Sequence, residues 1–226
     1  MRNEATVARP AIALLVLAAS VVALVAVQAA GAAARAADVA RTYDLQGFDR
    51  IEIAGVYDVD IEVGEDYAVE LEGPADEMAR VDVRIEDGAL VLGVDKKRRR
   101  GGDRQGVDAV VRLPNLTGLS ISGVAEVDAR GGRSDRFETA MSGVGDVTLA
   151  GECGVFDASV SGVGDLDADG LRCRDVAVRV SGVGSASVYA AERVDAKVSG
   201  MGSIDVKGSP SEVKKQGGFF SSVDVR

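Results

Sequence analysis

Histidine and tryptophan are absent from this 226-residue chain, aromatic residues make up 4% of it, and there are four prolines and two cysteines. Without histidine there is no Ser-His-Asp or Cys-His nucleophile system and no His-ligated zinc. Basic residues are also in short supply, 26 against 36 acids, for a net charge of -10. Residues 1–34 carry only Arg2, Glu4 and Arg9, so their removal leaves -11. Nucleic acid is therefore not an expected partner, because phosphate binding needs a basic footprint. A chain so poor in large side chains cannot fill a thick core. Glycine, in contrast, is abundant at 28 residues, which suits a thin core closed by many turns.

The one long uncharged run is Pro10 to Ala34, rich in Ala, Leu and Val and preceded by Arg2 and Arg9. This is the pattern of an export signal, with small-x-small sites at Ala30-Gly31-Ala32 and Ala32-Ala33-Ala34. The run is also just long enough to span a bilayer. An uncleaved anchor with Arg2 and Arg9 in the cytoplasm is thus the alternative to the expected cleavage. Cys153 and Cys173 are the only cysteines, so no lipid can be attached at a cysteine near the cleavage region. Either way, the body of the protein is expected to be exported to the periplasm, the cell envelope or the cell surface, and the membrane is a partner only through this segment if it stays uncleaved.

The rest of the chain is dominated by a repeat. Ser122-Gly123-Val124, Ser142-Gly143-Val144-Gly145, Ser161-Gly162-Val163-Gly164, Ser181-Gly182-Val183-Gly184 and Ser199-Gly200-Met201-Gly202 recur at intervals of 20, 19, 20 and 18. A degenerate copy lies near Gln216-Gly217-Gly218, and an isolated one is Ala54-Gly55-Val56-Tyr57-Asp58-Val59. One residue before each serine stand Ile121, Met141, Val160, Val180 and Val198. Three before stand Leu119, Thr139, Ala158, Val178 and Ala196, and five before stand Thr117, Phe137, Phe156, Val176 and Val194. Five after come Val127, Val147, Leu166, Ala186 and Ile204, and seven after come Ala129, Leu149, Ala168, Val188 and Val206. Small or polar residues fill the positions between. Period two means strands with one buried face. Each repeat is read as a strand of about five residues, a Ser-Gly-x-Gly turn, a second strand and a loop. A unit this short cannot bury its apolar stripe alone, so stacked copies must share it, about 4.8 Å apart. The expectation is a β-solenoid, a parallel β-helix of about 18–20 residues per repeat. The turn glycines Gly123, Gly143, Gly162, Gly182 and Gly200 are explained by positive φ and by the crowding of stacked corners.

Residues 47–112 are less regular, with strand-like runs at Arg50–Ile53, Tyr57–Val63, Tyr67–Leu71, Val81–Ile85, Ala89–Val94 and Asp108–Leu113. Ala75–Arg80 suits one helical turn, and Asp87-Gly88 a tight turn. The expected organisation is residues 1–34 as signal or anchor, 35–46 as linker, and 47–226 as one solenoid domain. Within that domain, 47–112 is a cap over the first core layer and 113–226 the regular repeats.

Several motifs in order resemble the bacterial "putative auto-transporter adhesin, head GIN domain" family. They are Gly47-Phe48-Asp49-Arg50-Ile51-Glu52-Ile53, Tyr57-Asp58-Val59-Asp60-Ile61-Glu62-Val63-Gly64, Leu113-Pro114-Asn115-Leu116, the Ser-Gly-x-Gly-Asp series, and Gly208-Ser209-Pro210. The resemblance spans roughly Phe48 to Val225. It implies a right-handed single-stranded β-helix, similar to pectin-lyase-type folds but without shared catalytic residues, and a role in cell adhesion. One departure is that the repeats run to Arg226 with no room after them for a translocator barrel, so self-secretion is not expected of this chain.

Candidate sites follow from the columns. Glu126, Asp146 and Asp165 stack in the turn and would repel one another. A calcium ion could bridge them, but the bland alternative, that they point into water, is preferred. The serine column Ser122, Ser142, Ser161, Ser181 and Ser199 is read as turn hydroxyls bonding local backbone rather than as a sugar surface. Cys153 and Cys173 sit at nearly one phase of adjacent rungs. In an oxidising compartment they are expected to pair, with stacked thiols as the alternative. The run Lys96, Lys97, Arg98, Arg99 and Arg100 reads as a solvated loop, with an anionic-surface contact as its functional alternative. Phe219 and Phe220 are expected to cap the last rung.

No cofactor is called for. The function expected is a non-catalytic adhesion or binding module whose partner is a glycan or a surface or envelope protein, with self-association also open. The alternatives are a polysaccharide-acting enzyme, with Asp157 and Asp195 or Asp128 and Asp167 as the acids, and a structural or regulatory partner of another envelope protein through the exposed sheet face or the open solenoid end, whose unpaired edge strand can accept a partner strand. Scarce aromatics and short inter-rung loops weigh against the enzyme.

Overall fold

A computed structural model describes residues 38–64, 66–95, 106–218 and 221–226. The N-terminal apolar segment, the Lys96–Arg100 run and Phe219-Phe220 lie outside the described residues. Fifteen strands and one helical turn follow one another: β1 (Asp38–Tyr43), β2 (Arg50–Ile53), β3 (Val56–Val63), β4 (Ala68–Pro74), α1 (Ala75–Met78), β5 (Val81–Glu86), β6 (Ala89–Val94), β7 (Val107–Leu113), β8 (Gly118–Ile121), β9 (Val124–Met141), β10 (Val144–Val160), β11 (Leu166–Val180), β12 (Val183–Val198), β13 (Met201–Gly208), β14 (Glu212–Gln216) and β15 (Ser221–Val225). They coil into a parallel β-solenoid of about five turns.

The period-two columns account for the interior. The residues one and three before each serine, and five and seven after it, are all buried. Five before, Phe137, Phe156, Val176 and Val194 are buried too, and Phe137 and Phe156 lie with ring centroids 5.9 Å apart. Strands β9 to β12 are much longer than the five-residue strands expected, at 15 to 18 residues each. The stretch read as a loop is itself paired, for example Glu152 with Arg172 and Cys153 with Cys173. Stacked rungs offer every backbone N–H and C=O a partner, so the connection is drawn into the ladder.

The corner separates two reasons for glycine. Corner amides continue the ladder, as in Ser142 N to Ile121 O at 2.8 Å and Val163 N to Gly143 O at 3.0 Å. At Gly143, Gly162 and Gly182 no positive φ occurs; an added Cβ there would overlap the carbonyl oxygen of the glycine one rung below. Positive φ falls instead on the second glycine, 143° at Gly145 and 141° at Gly164. The first glycine is thus set by close approach alone, which corrects the expectation of positive φ there.

At the N-terminal end the order of layers departs from the order of sequence. The isolated Gly55-Val56 copy lies directly against the first regular corner, with β2 parallel to β8 and β3 parallel to β9. The next layer outward is formed by β6 and β7, parallel to β2 and β3. Beyond it, β4 runs antiparallel to β7 and β5 antiparallel to β6 through the Asp87-Gly88 turn, whose φ values are 50° and 76°. Asp38–Tyr43, inside the stretch expected as a linker, is a strand along β4. Val69, Leu71 and Met78 close the core here. Among the described residues no helix is long and apolar enough to cross a membrane.

Candidate functional site

Two long sides of the solenoid carry outward-facing columns. On one side, Arg50, Gly118, Glu138, Asp157, Ala177 and Asp195 form a column, and Glu52, Ser120, Ala140, Ser159, Arg179 and Lys197 form the next. Parallel pairing aligns equal positions, so the columns are a direct consequence of the repeat. Small residues at Gly118, Ser120, Ala140 and Ser159 leave a hollow of about 380 Å³, bounded by Arg50, Glu52, Glu138, Asp157 and Arg179. A second hollow, about 630 Å³, shares Arg50, Gly118 and Glu138 and adds Asn115, Thr117, Arg133, Ser134, Asp135 and Arg136. Together they make one open trough.

Charges in the trough are mostly neutralised in place. The Arg136 guanidinium donates to Glu138 at 2.8 Å and to Asp157 at 2.5 Å; hydrogen bonding to Glu138, then the charge of Asp157, raises its pKa. Arg133 faces Glu152 at 3.4 Å. Arg179 has no ion-pair partner among the described residues. A third hollow of about 210 Å³ lies further along, beside Asp175, Arg193, Asp195 and Lys214. Burial alone would push the Asp175 carboxyl up, but hydrogen bonds from Arg174 at 3.0 Å and Arg193 at 2.6 Å carry it below the ordinary value.

The acids weighed for glycoside chemistry are not gathered. Asp157 and Asp195 are two rungs apart with Ala177 between, and Asp128 and Asp167 two rungs apart with Thr148 between. Two ladder steps are about 9.6 Å, well beyond the ~5.5 Å of a retaining pair and at the upper end of inverting ones. Asp157 lines the first hollow and Asp195 the third.

On the other long side, Asp58, Glu126, Asp146 and Asp165 stand in one column, joined by Asp108. Desolvation, then the charges of Asp108 and Asp60, raises the pKa of Asp58. Of Glu126, Asp146 and Asp165, weighed above as calcium ligands, two bond the neighbouring rung. One oxygen of Asp146 accepts the Asp165 amide at 3.0 Å, and one of Asp165 accepts the Ser185 amide at 2.8 Å and hydroxyl at 2.6 Å. These carboxylates hold the next rung's backbone, and among the described residues no group of three is placed to hold a metal ion. The serines act in the same way: Ser142 and Ser161 hydroxyls donate to the Ile121 and Met141 carbonyls at 3.2 and 3.3 Å. Cys153 and Cys173 are joined, with Cα atoms 4.5 Å apart. The columns of the trough were readable as polar and outward; that Arg50 and Glu52 extend them from some seventy residues upstream was not.

A stacked aliphatic core, glycine corners and the Gly47–Pro210 motif series together decide the kinship. The chain belongs to the putative auto-transporter adhesin, head GIN domain family, matched over residues 47–210. Among solved structures this GIN domain is similar to a putative adhesin from Bacteroides fragilis, with 25% identity, a TM-score of 0.67, and 84% of this chain and 97% of that one covered. Putative adhesins and a putative lipid binding protein from Parabacteroides also align: the Parabacteroides merdae adhesin at 16% identity and TM-score 0.41, over 84% and 96% of the two chains, and the Parabacteroides distasonis lipid binding protein at 18% and 0.44, over 84% and 97%. No curated protein matches the GIN domain chain.

Proposed function

We propose that this protein is a non-catalytic binding module, exported to the cell envelope or surface, that holds a hydroxyl-rich partner, a glycan, along its trough. The observation that supports this is the trough itself: an open, elongated surface of serine hydroxyls and paired charges, edged by Arg179, which has no ion-pair partner among the described residues. Such a surface offers many weak polar contacts to an extended ligand. Among the described residues it offers no loop-borne group aimed at a single bond, and two of its acids, Glu138 and Asp157, are tied to Arg136. Kinship with adhesin-named proteins agrees with binding at a surface. The test is a panel of neutral and acidic glycans with the purified protein. Retention without chain shortening is expected, and Ser159→Leu, which fills the trough, should weaken it at least fivefold. Release of shortened glycan that is lost in Asp157→Asn would replace binding by catalysis.

A further inference from the structure

The side of the solenoid away from the trough carries a feature that fold stability does not require. Val124, Val144, Val163, Val183 and Met201 are between 45% and 60% exposed. They form one column, because Val124 pairs with Val144, Val144 with Val163, Val163 with Val183, and Val183 with Met201. Val56 continues it. Single exposed aliphatics need no explanation, but a continuous row does. The turn is made by the glycines on either side, and the core is filled from five and seven residues past each serine, so a polar residue would serve this position equally well.

Two residues along each strand, and therefore on the same face about 6.8 Å away, stands the column of Asp58, Glu126, Asp146 and Asp165. Asp60, Asp128, Thr148 and Asp167 form the column after that, with Asp128 paired to Arg130. An aliphatic row bordered by rows of carboxylates complements one kind of side chain. A lysine or arginine stem can lie along the valines while its cationic head reaches the acids. We infer that this face docks an extended, lysine- or arginine-rich polypeptide segment of another protein. The aliphatic row supplies the contact area and the carboxylates supply the charge complement. A second copy of the chain fits poorly, since it would oppose carboxylates to carboxylates. Five half-exposed side chains also fall short of the ~800 Å² per partner of a specific interface. An anionic membrane is repelled by the same acids.

The test uses the full-length protein and a fluorescent lysine decamer at low salt, read by anisotropy. Wild type should bind. Val144→Thr with Val163→Thr and Val183→Thr keeps β-branching and charge, and should weaken binding at least fivefold without lowering the melting temperature. Asp146→Asn with Asp165→Asn keeps the acceptor oxygens that hold the next rung and should weaken it tenfold or more. Asp76→Asn with Glu192→Gln, which removes equal charge elsewhere, should change it less than twofold. Equal losses in the two charge variants, or no loss in the valine variant, would reduce the effect to unspecific attraction and overturn the inference. So would sedimentation showing a dimer that the valine variant dissolves, or valine-dependent binding to phosphatidylglycerol vesicles. The trough plays no part in any of these outcomes.

Discussion

The first glycine of each corner answers to its neighbour one rung below rather than to its own dihedral angles. At Gly162 the backbone is one that any residue adopts, yet a Cβ would overlap the Gly143 carbonyl oxygen, a fixed atom of the ladder. That oxygen also accepts the Val163 amide at 3.0 Å, so it cannot retreat without losing a hydrogen bond. Gly162→Ala is therefore expected to destabilise the fold by about 2–3 kcal/mol, the scale of overpacking against a rigid surround. Gly64→Ala is the control: an added Cβ there has nothing within 4 Å and no positive φ to contend with, so its effect should stay within about 0.5 kcal/mol. Urea unfolding of the two variants beside wild type measures the difference. Equal, small effects would show that the corners open easily, contrary to the stacked geometry.

Strands show which parts of the structure a local pattern can carry. The columns at one and three residues before each serine, and five and seven after, were legible because alternation is a property of neighbours in sequence. The paired stretch near Glu152 was not, since Gly151 and Gly154 interrupt its alternation and only the stacked rung holds it extended. Nor was the placing of β6 and β7 outside β2 and β3, because parallel pairing across tens of residues leaves no local trace. The trough inherits the same division. Ser120, Glu138, Asp157, Ser159 and Arg179 could be aligned from the repeat, whereas Arg50 and Glu52 depend on the β2–β8 pairing. The cysteines belong to this scale as well. The Cys153–Cys173 bond clamps β10 to β11 within the interrupted stretch and closes a loop of 20 residues. On the chain-entropy estimate its loss costs about 3 kcal/mol. The double variant Cys153→Ala, Cys173→Ala should accordingly unfold at a lower urea midpoint with an equal or slightly larger slope, and reduction of wild type under unfolding conditions should give the same midpoint. A midpoint equal to wild type would mean that the ladder alone aligns these strands.

A solenoid is stable as a row of neighbours, each layer depending on the ones it touches, so its two ends decide where it opens first. Here the ends are unequal. At the N-terminal end β4 and β1 extend one side beyond β7, β5 extends the other beyond β6, and Val69, Leu71 and Met78 are fully enclosed. At the other end, among the described residues, β14 pairs with β12 and β15 pairs with β13, and every residue of β14 is exposed. Fraying of β14 uncovers little apolar surface, and β15 contributes only the half-buried Val223 and Val225, while fraying at β3 would expose Val59 and Ile61, both buried against two strands. Native-state hydrogen exchange should therefore show a gradient along the axis. Amides of Glu212–Gln216 and Ser221–Val225 are expected to exchange about a hundredfold faster than those of Val56–Val63, whose opening requires disruption of the capped end. Protection should rise stepwise from β13 toward β10, one layer at a time, as expected of nearest-neighbour coupling. Uniform protection from β3 to β15 would mean that the narrow core opens as a single unit. Faster exchange at β3 than at β14 would mean that the antiparallel strands do not hold the end they cover.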